Sequence, residues 1–210
     1  MKRATVLGAV TALAALSLPV LSLPASAATL ATATTSLNIR TGPGPQYPVI
    51  GAIPEKGSAT VTGCIQGSLW CQVTYNGKQG WAYSQYMSGN VGGQMIAVTQ
   101  IRDVPTIVYD APTTTVGTTV VTPEISGEFV APVANAAPMQ IAPPPATVQT
   151  YVVQHPVQPV YLNGEVVEGA GLPPDVVLTP VPDQQYSYAY VNGVPVLVEP
   201  TSRRVTYIYR

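Results

Sequence analysis

Trp70-Cys71-Gln72-Val73-Thr74-Tyr75-Asn76-Gly77-Lys78-Gln79-Gly80-Trp81 reads as two strands joined by a tight turn. Asn-Gly between β-forming runs is the strongest short-range hairpin signal, because both turn residues must take positive φ. Upstream, Leu37-Asn38-Ile39-Arg40 alternates apolar and polar, as a half-buried strand does. Thr41-Gly42-Pro43-Gly44-Pro45 follows, dense in turn residues. Short apolar runs recur at residues 49–53 and 60–65, separated by Pro54 and Gly57 and closed by Gln66-Gly67-Ser68. Short strands at this spacing predict a small barrel over residues 37–88.

The chain has 210 residues, enough for one or two small domains. Charged residues make up 9%, Pro counts 22, and 12 Tyr stand against one Phe. The low charge argues against a solvated disordered chain, and the Pro content against one continuous globule. Tyr, Val and Thr favour strands, so the fold class expected is all-β. The formal net charge is -1, with no Lys/Arg stripe. Nucleic-acid binding needs clustered cations and is excluded as a reading.

Met1-Lys2-Arg3, an apolar run and Ala25-Ser26-Ala27 have the form of a secretory signal peptide over residues 1–27. An uncleaved anchor is the alternative, since the run approaches the ~20 residues that span a bilayer. No later segment is apolar enough to cross. Residues 28–36, small and polar, read as a flexible tether. Export would place Cys64 and Cys71 in an oxidising compartment, where an even count at close spacing favours one disulfide. A metal pair lacks partners: the single His is His155, and the spacing is not C-x-x-C. No metal and no cofactor are expected.

Residues 89–150 read as a Pro/Thr/Val-rich linker with polyproline II character, leaving room for a stray strand at 117–122. Order is expected to return at Tyr151. Asn163-Gly164 and Asn192-Gly193 each lie within apolar residues and predict two hairpins of a small antiparallel module over residues 151–210. Pro195 lacks an N–H, which points to an edge strand or to pairing on one side only. Tyr186, Tyr188 and Tyr190 share one face at period two, as do Val205, Tyr207 and Tyr209. Sixty residues make a small core, so this module is expected to lean on a partner, on the preceding segment or on its own copy.

The motif Leu37-Asn38-Ile39-Arg40-Thr41-Gly42-Pro43-Gly44, with Gly63-Cys64, Trp70-Cys71-Gln72-Val73, Gly80-Trp81 and Tyr86-Met87, resembles the bacterial SH3-like domain family. The resemblance covers about a quarter of the chain and implies a cell-wall peptide as ligand. Cys64 and Cys71 would flank a turn on neighbouring strands, where a suitable register permits a bridge. His155-Pro156-Val157, Leu172-Pro173, Tyr188-Ala189-Tyr190-Val191-Asn192-Gly193 and Arg203-Arg204-Val205-Thr206-Tyr207 resemble an uncharacterised C-terminal family of alphaproteobacterial envelope proteins. That implies a Gram-negative envelope setting, periplasmic or secreted, and brings no chemistry.

Barrels of this type bind extended peptides across aromatic grooves. The candidates are Arg40, Tyr47, Trp70, Trp81, Tyr83 and Tyr86, with Trp70 and Trp81 equally readable as core and Tyr47 and Tyr83 as the better surface positions. No nucleophile–base constellation is present, so no catalytic residue is assigned. Glu165 and Glu168, three apart on an expected strand, would face opposite ways. Arg203-Arg204 reads as a solvated turn. Pro156-Val157-Gln158-Pro159 could dock in the chain's own groove, although a spacer is the simpler reading. The leading expectation is an exported envelope protein whose barrel binds wall peptide or another extended peptide. A structural or assembly role for the C-terminal module and an accessory role beside a wall hydrolase are the alternatives.

Overall fold

Asn76 and Gly77 take φ of 49° and 76° and place Tyr75 opposite Lys78, the two-residue turn the sequence called for. The structure, a computed structural model, describes residues 28–110, 124–130 and 143–210. The expected signal peptide and the stray strand at 117–122 lie outside the described residues.

The first unit runs β1 (Thr29–Ala33), β2 (Leu37–Arg40), β3 (Val49–Ile53), β4 (Ser58–Ile65), β5 (Trp70–Tyr75), β6 (Lys78–Tyr83), β7 (Met87–Val91), β8 (Gln94–Ala97) and β9 (Thr106–Ile107). The sheet order is β3-β2-β6-β5-β4-β1-β7-β8, with β9 against β4. Leu37, Ile39, Ile53, Val61, Val73 and Met87 are fully buried at its centre.

Two sequence readings are corrected here. Residues 28–36 are no tether: β1 is inserted between β4 and β7, with Ala31 and Ala33 buried at alternate positions. Ala31 and Ala33 point into the barrel core, and Thr is itself a good strand former. The barrel also does not stop at residue 88. Gly92 and Gly93, both at positive φ, turn β7 into β8. The chain then returns along β4, where Cys64 N–H donates to the Pro105 carbonyl at 2.8 Å and β9 pairs in parallel.

The second unit contains β10 (Ile125–Glu128), α1 (Ala146–Gln154), β11 (Tyr161–Asn163), β12 (Thr179–Pro180), β13 (Ser187–Val191), β14 (Val194–Glu199) and β15 (Arg204–Ile208). Tyr151 lies inside this short helix rather than opening a strand, while the fold as a whole is all-β, as expected. Pro145 precedes the helix, at an end where the missing N–H has no intrahelical role. Val148 and Val152, one turn apart, bury against Tyr188, Leu197 and Tyr209 of the sheet β12-β13-β14-β15.

Only the second Asn-Gly pair makes a hairpin: Asn192 and Gly193 place Val191 opposite Val194. The first does not. β11 pairs in parallel with β10, and Gly164, at φ 101°, turns the chain towards the barrel. Pro195 sits in an inner strand, opposite Tyr190, and its carbonyl accepts the Tyr209 N–H at 3.0 Å. Val205 does not share a face with Tyr207, because a bulge at Thr206 shifts the register. Val205 thereby joins Val191, Val196 and Val198 in one core, while Tyr207 and Tyr209 face α1.

Candidate functional site

Arg40 ends β2 opposite Trp81 of β6, and a register shift before it turns its side chain inward. It is 1% exposed, and Glu165, which it meets in a salt bridge, is 0% exposed. Arg40 Nε and Nη2 donate to the two carboxylate oxygens, the latter at 2.6 Å. Nη1 donates to the carbonyls of Pro45, Tyr47 and Asn192 at 3.0, 2.7 and 3.0 Å. Asn38 Nδ2 and the Val166 N–H donate to Glu165 Oε1 at 3.1 and 3.0 Å. The network joins both units, and Val49 and Tyr86 of the barrel pack onto the C-terminal core. Arg40 is therefore unavailable to an outside ligand, which corrects its reading as a groove residue.

Glu165 lies in a loop, not on a strand, because Gly164 breaks the expected hairpin. Asn192 supports the turn: its Oδ1 accepts the Leu162 N–H at 2.8 Å and its Nδ2 donates to the Gly164 carbonyl at 3.1 Å. A Cβ at Gly164 would lie 3.4 Å from the Tyr83 ring, an ordinary contact, so it is the φ of 101° that selects glycine.

The aromatic candidates separate into three environments. Trp70, 5% exposed, is core and meets Tyr83 edge-on at 5.3 Å. Trp81, 6% exposed, is covered by Tyr109 at 5.2 Å, and Tyr47 meets Tyr109 edge-on at 6.2 Å. The hydrogen bond with Tyr109, then burial and the Tyr109 phenol's charge, push the Tyr47 phenol up to about 12. Tyr109 belongs to the stretch expected to be linker, and it closes this part of the groove. Pro156-Val157-Gln158-Pro159 does not dock there: it borders a cavity of its own unit with Val176 and Tyr190.

Tyr83, 8% exposed and thus not the open surface residue expected, and half-buried Tyr86 border a cleft of about 350 Å³ between the units. Their ring centroids are 6.1 Å apart. Gln85 completes the barrel side, and Glu128, Phe129 and Asn163 form the opposite wall. Asn163 Nδ2 donates to Glu128 Oε1 at 3.2 Å. Burial, then the Glu128 charge, raises the Tyr83 phenol, while burial, then Tyr83 and Glu165, raises that of Tyr86. Glu128 and Phe129 escaped sequence reasoning, while Asn163 and Glu165 were read as parts of a hairpin rather than of a site. The one available signal was a carboxylate set between Gly164 and Val166-Val167 in a charge-poor chain.

Cys64 and Cys71 are register partners on β4 and β5, with Cα atoms 4.0 Å apart, and are disulfide-bonded. Arg203 and Arg204 do not form a solvated cationic pair. Arg203 Nη2 donates to the Pro173 and Val176 carbonyls at 2.7 and 2.5 Å, and Arg204 Nη1 to Gly169 at 2.8 Å. His155 stacks on Tyr151 at 4.1 Å. Among the described residues no helix is long and apolar enough to cross a membrane.

No curated protein and no solved structure matches the chain. Two family models do, each over one unit, and neither family is enzymatic. The chain thus carries a bacterial SH3 domain over residues 35–88, followed over residues 151–210 by a domain of unknown function, DUF1236.

Proposed function

We propose that this is an exported cell-envelope protein that binds an extended wall peptide in the cleft between its SH3 domain and its C-terminal domain. The observation that carries the reading is the cleft itself, where Tyr83 and Tyr86 of the expected aromatic set meet open space beside Glu128 and Asn163. Pockets of a few hundred Å³ with convergent polar groups are the usual ligand sites. The Lys2-Arg3 start, the small-residue site at Ala25-Ser26-Ala27 and the Cys64–Cys71 disulfide support export.

The test is sedimentation of the purified chain with isolated peptidoglycan sacculi at low and high salt. Salt-resistant retention that falls when Tyr86→Ala and Phe129→Ala are combined is expected. A chain that stays in the supernatant at every salt concentration overturns the wall-ligand reading.

A second reading, a structural or assembly role, is favoured by the internal use of Arg40, Tyr47 and Trp81, which leaves the rest of the barrel's aromatic surface closed. Under it, any partner engages a face away from the cleft, and the same double variant binds that partner unchanged.

A further inference from the structure

The cleft has a chemistry of its own. Three aromatic side chains, Tyr83, Tyr86 and Phe129, contribute to its walls, and the Tyr83 and Tyr86 rings are inclined at 45°. Aromatic faces carry negative potential and attract ammonium groups, more strongly when the cation is desolvated. Among the described residues, the charged members of the lining are both acidic, Glu128 and Glu165, with no Lys or Arg beside them. Glu165 is already paired with Arg40, which leaves the exposed Glu128 as the rim charge with no ion-pair partner among the described residues. Asn163 holds that carboxylate by one oxygen, Oε1, and among the described residues no donor reaches Oε2.

An anionic ligand would meet Glu128 at close range without a compensating cation. A neutral sugar would donate hydroxyl hydrogen bonds to the carboxylate but leave its charge uncompensated. A volume of about 350 Å³ suits one long side chain with its adjoining backbone rather than a folded partner.

We infer that the cleft takes a primary ammonium group on the end of an alkyl side chain of the bound peptide, held between Tyr83, Tyr86 and Phe129 and paired with Glu128. This rests on the peptide-binding reading above and names the chemical group that reading left open. The roles differ: the rings supply cation–π attraction, Glu128 supplies the counter-charge, and Asn163 positions Glu128.

The experiment titrates the purified full-length chain with an N-acetylated alanine–glutamate–lysine–alanine–alanine pentapeptide and with the same peptide bearing an acetylated lysine side chain. Ring resonances of Tyr86 and Phe129 report occupancy. The free amine is expected to bind about tenfold more tightly than the acetylated form. Glu128→Gln is expected to remove most of that difference by weakening the free amine far more than the acetylated form. Glu128 is exposed, and among the described residues its side chain bonds to Asn163 alone, so this variant keeps the fold intact. Equal binding of the two peptides overturns the amine assignment and leaves the peptide cleft standing. Binding of neither peptide by a chain that still sediments with sacculi also overturns it. Failure to bind peptides and sacculi alike overturns both readings.

Discussion

Arg40 and Glu165, 125 residues apart in sequence, meet side chain to side chain with essentially no solvent contact. Neither unit could bury its own member of the pair alone without leaving a desolvated, uncompensated charge. The pair therefore couples the two units energetically as well as spatially.

Glu165→Gln should destabilise the chain by about 3–5 kcal/mol, because it strips the counter-charge from a sealed guanidinium. Arg40→Met should cost about the same, by leaving Glu165 unpaired. With Glu165→Leu as the second single change, the double variant Arg40→Met with Glu165→Leu should lose about 1–3 kcal/mol less than the sum of the two singles, a coupling read from urea midpoints in a double-mutant cycle. The parent chain should unfold in one transition by both tryptophan fluorescence, which reports on the barrel, and far-UV circular dichroism. Two separated transitions would show that the units are independent.

Reduction of the Cys64–Cys71 bond should lower stability by about 2–3 kcal/mol on the chain-entropy model for so short a loop. The check is a pair of urea titrations with and without reductant. The barrel should remain folded at low urea, since the pair also keeps its β4–β5 register through backbone bonds.

Tyr109→Ala should uncover Trp81 and shift its fluorescence to the red, and it should let the Tyr47 phenol fall back from about 12 towards 10. The sign of the linked effect follows from the raised value. The fold favours the protonated phenol, so this contribution to stability is fully present below pH 10 and is lost as pH rises towards 12. In the parent chain, melts across that window should fall more steeply than in the Tyr109→Ala variant.

Glu199 caps the turn after β14, accepting the Thr201 and Ser202 N–H groups at 2.9 and 2.5 Å. Hydrogen bonds from the Ser202 side chain and backbone, then from the Thr201 backbone, hold its carboxyl down at about 2. Its contribution is present above the ordinary carboxylate value of 4.5 and is lost as pH falls towards 2. A carbon-detected titration should place Glu199 below the other carboxylates, and Ser202→Ala should move it up. An unperturbed midpoint near 4.5 would contradict the cap.

The local grammar of this protein was written in its sequence. Asn76-Gly77 and Asn192-Gly193 specified their hairpins because a two-residue turn between extended strands demands positive φ at both positions. The spacing of strands β2 to β6, and the cross-strand seat of Cys64 and Cys71, followed from the same alternation and turn signals. What periodicity cannot express is which distant segment will cover a surface. Asn163-Gly164 carries the same dipeptide as the true hairpins, yet here Gly164 turns the chain and the buried Glu165 meets Arg40 of the barrel. β1 was hidden by its small residues and Tyr109 by its Pro- and Thr-rich surroundings, since composition registers propensity and not the neighbour that completes a strand or covers an indole. The cleft, made by residues from three separate stretches of chain, exists only once the two cores have packed together, and for that reason the tertiary structure alone decided it.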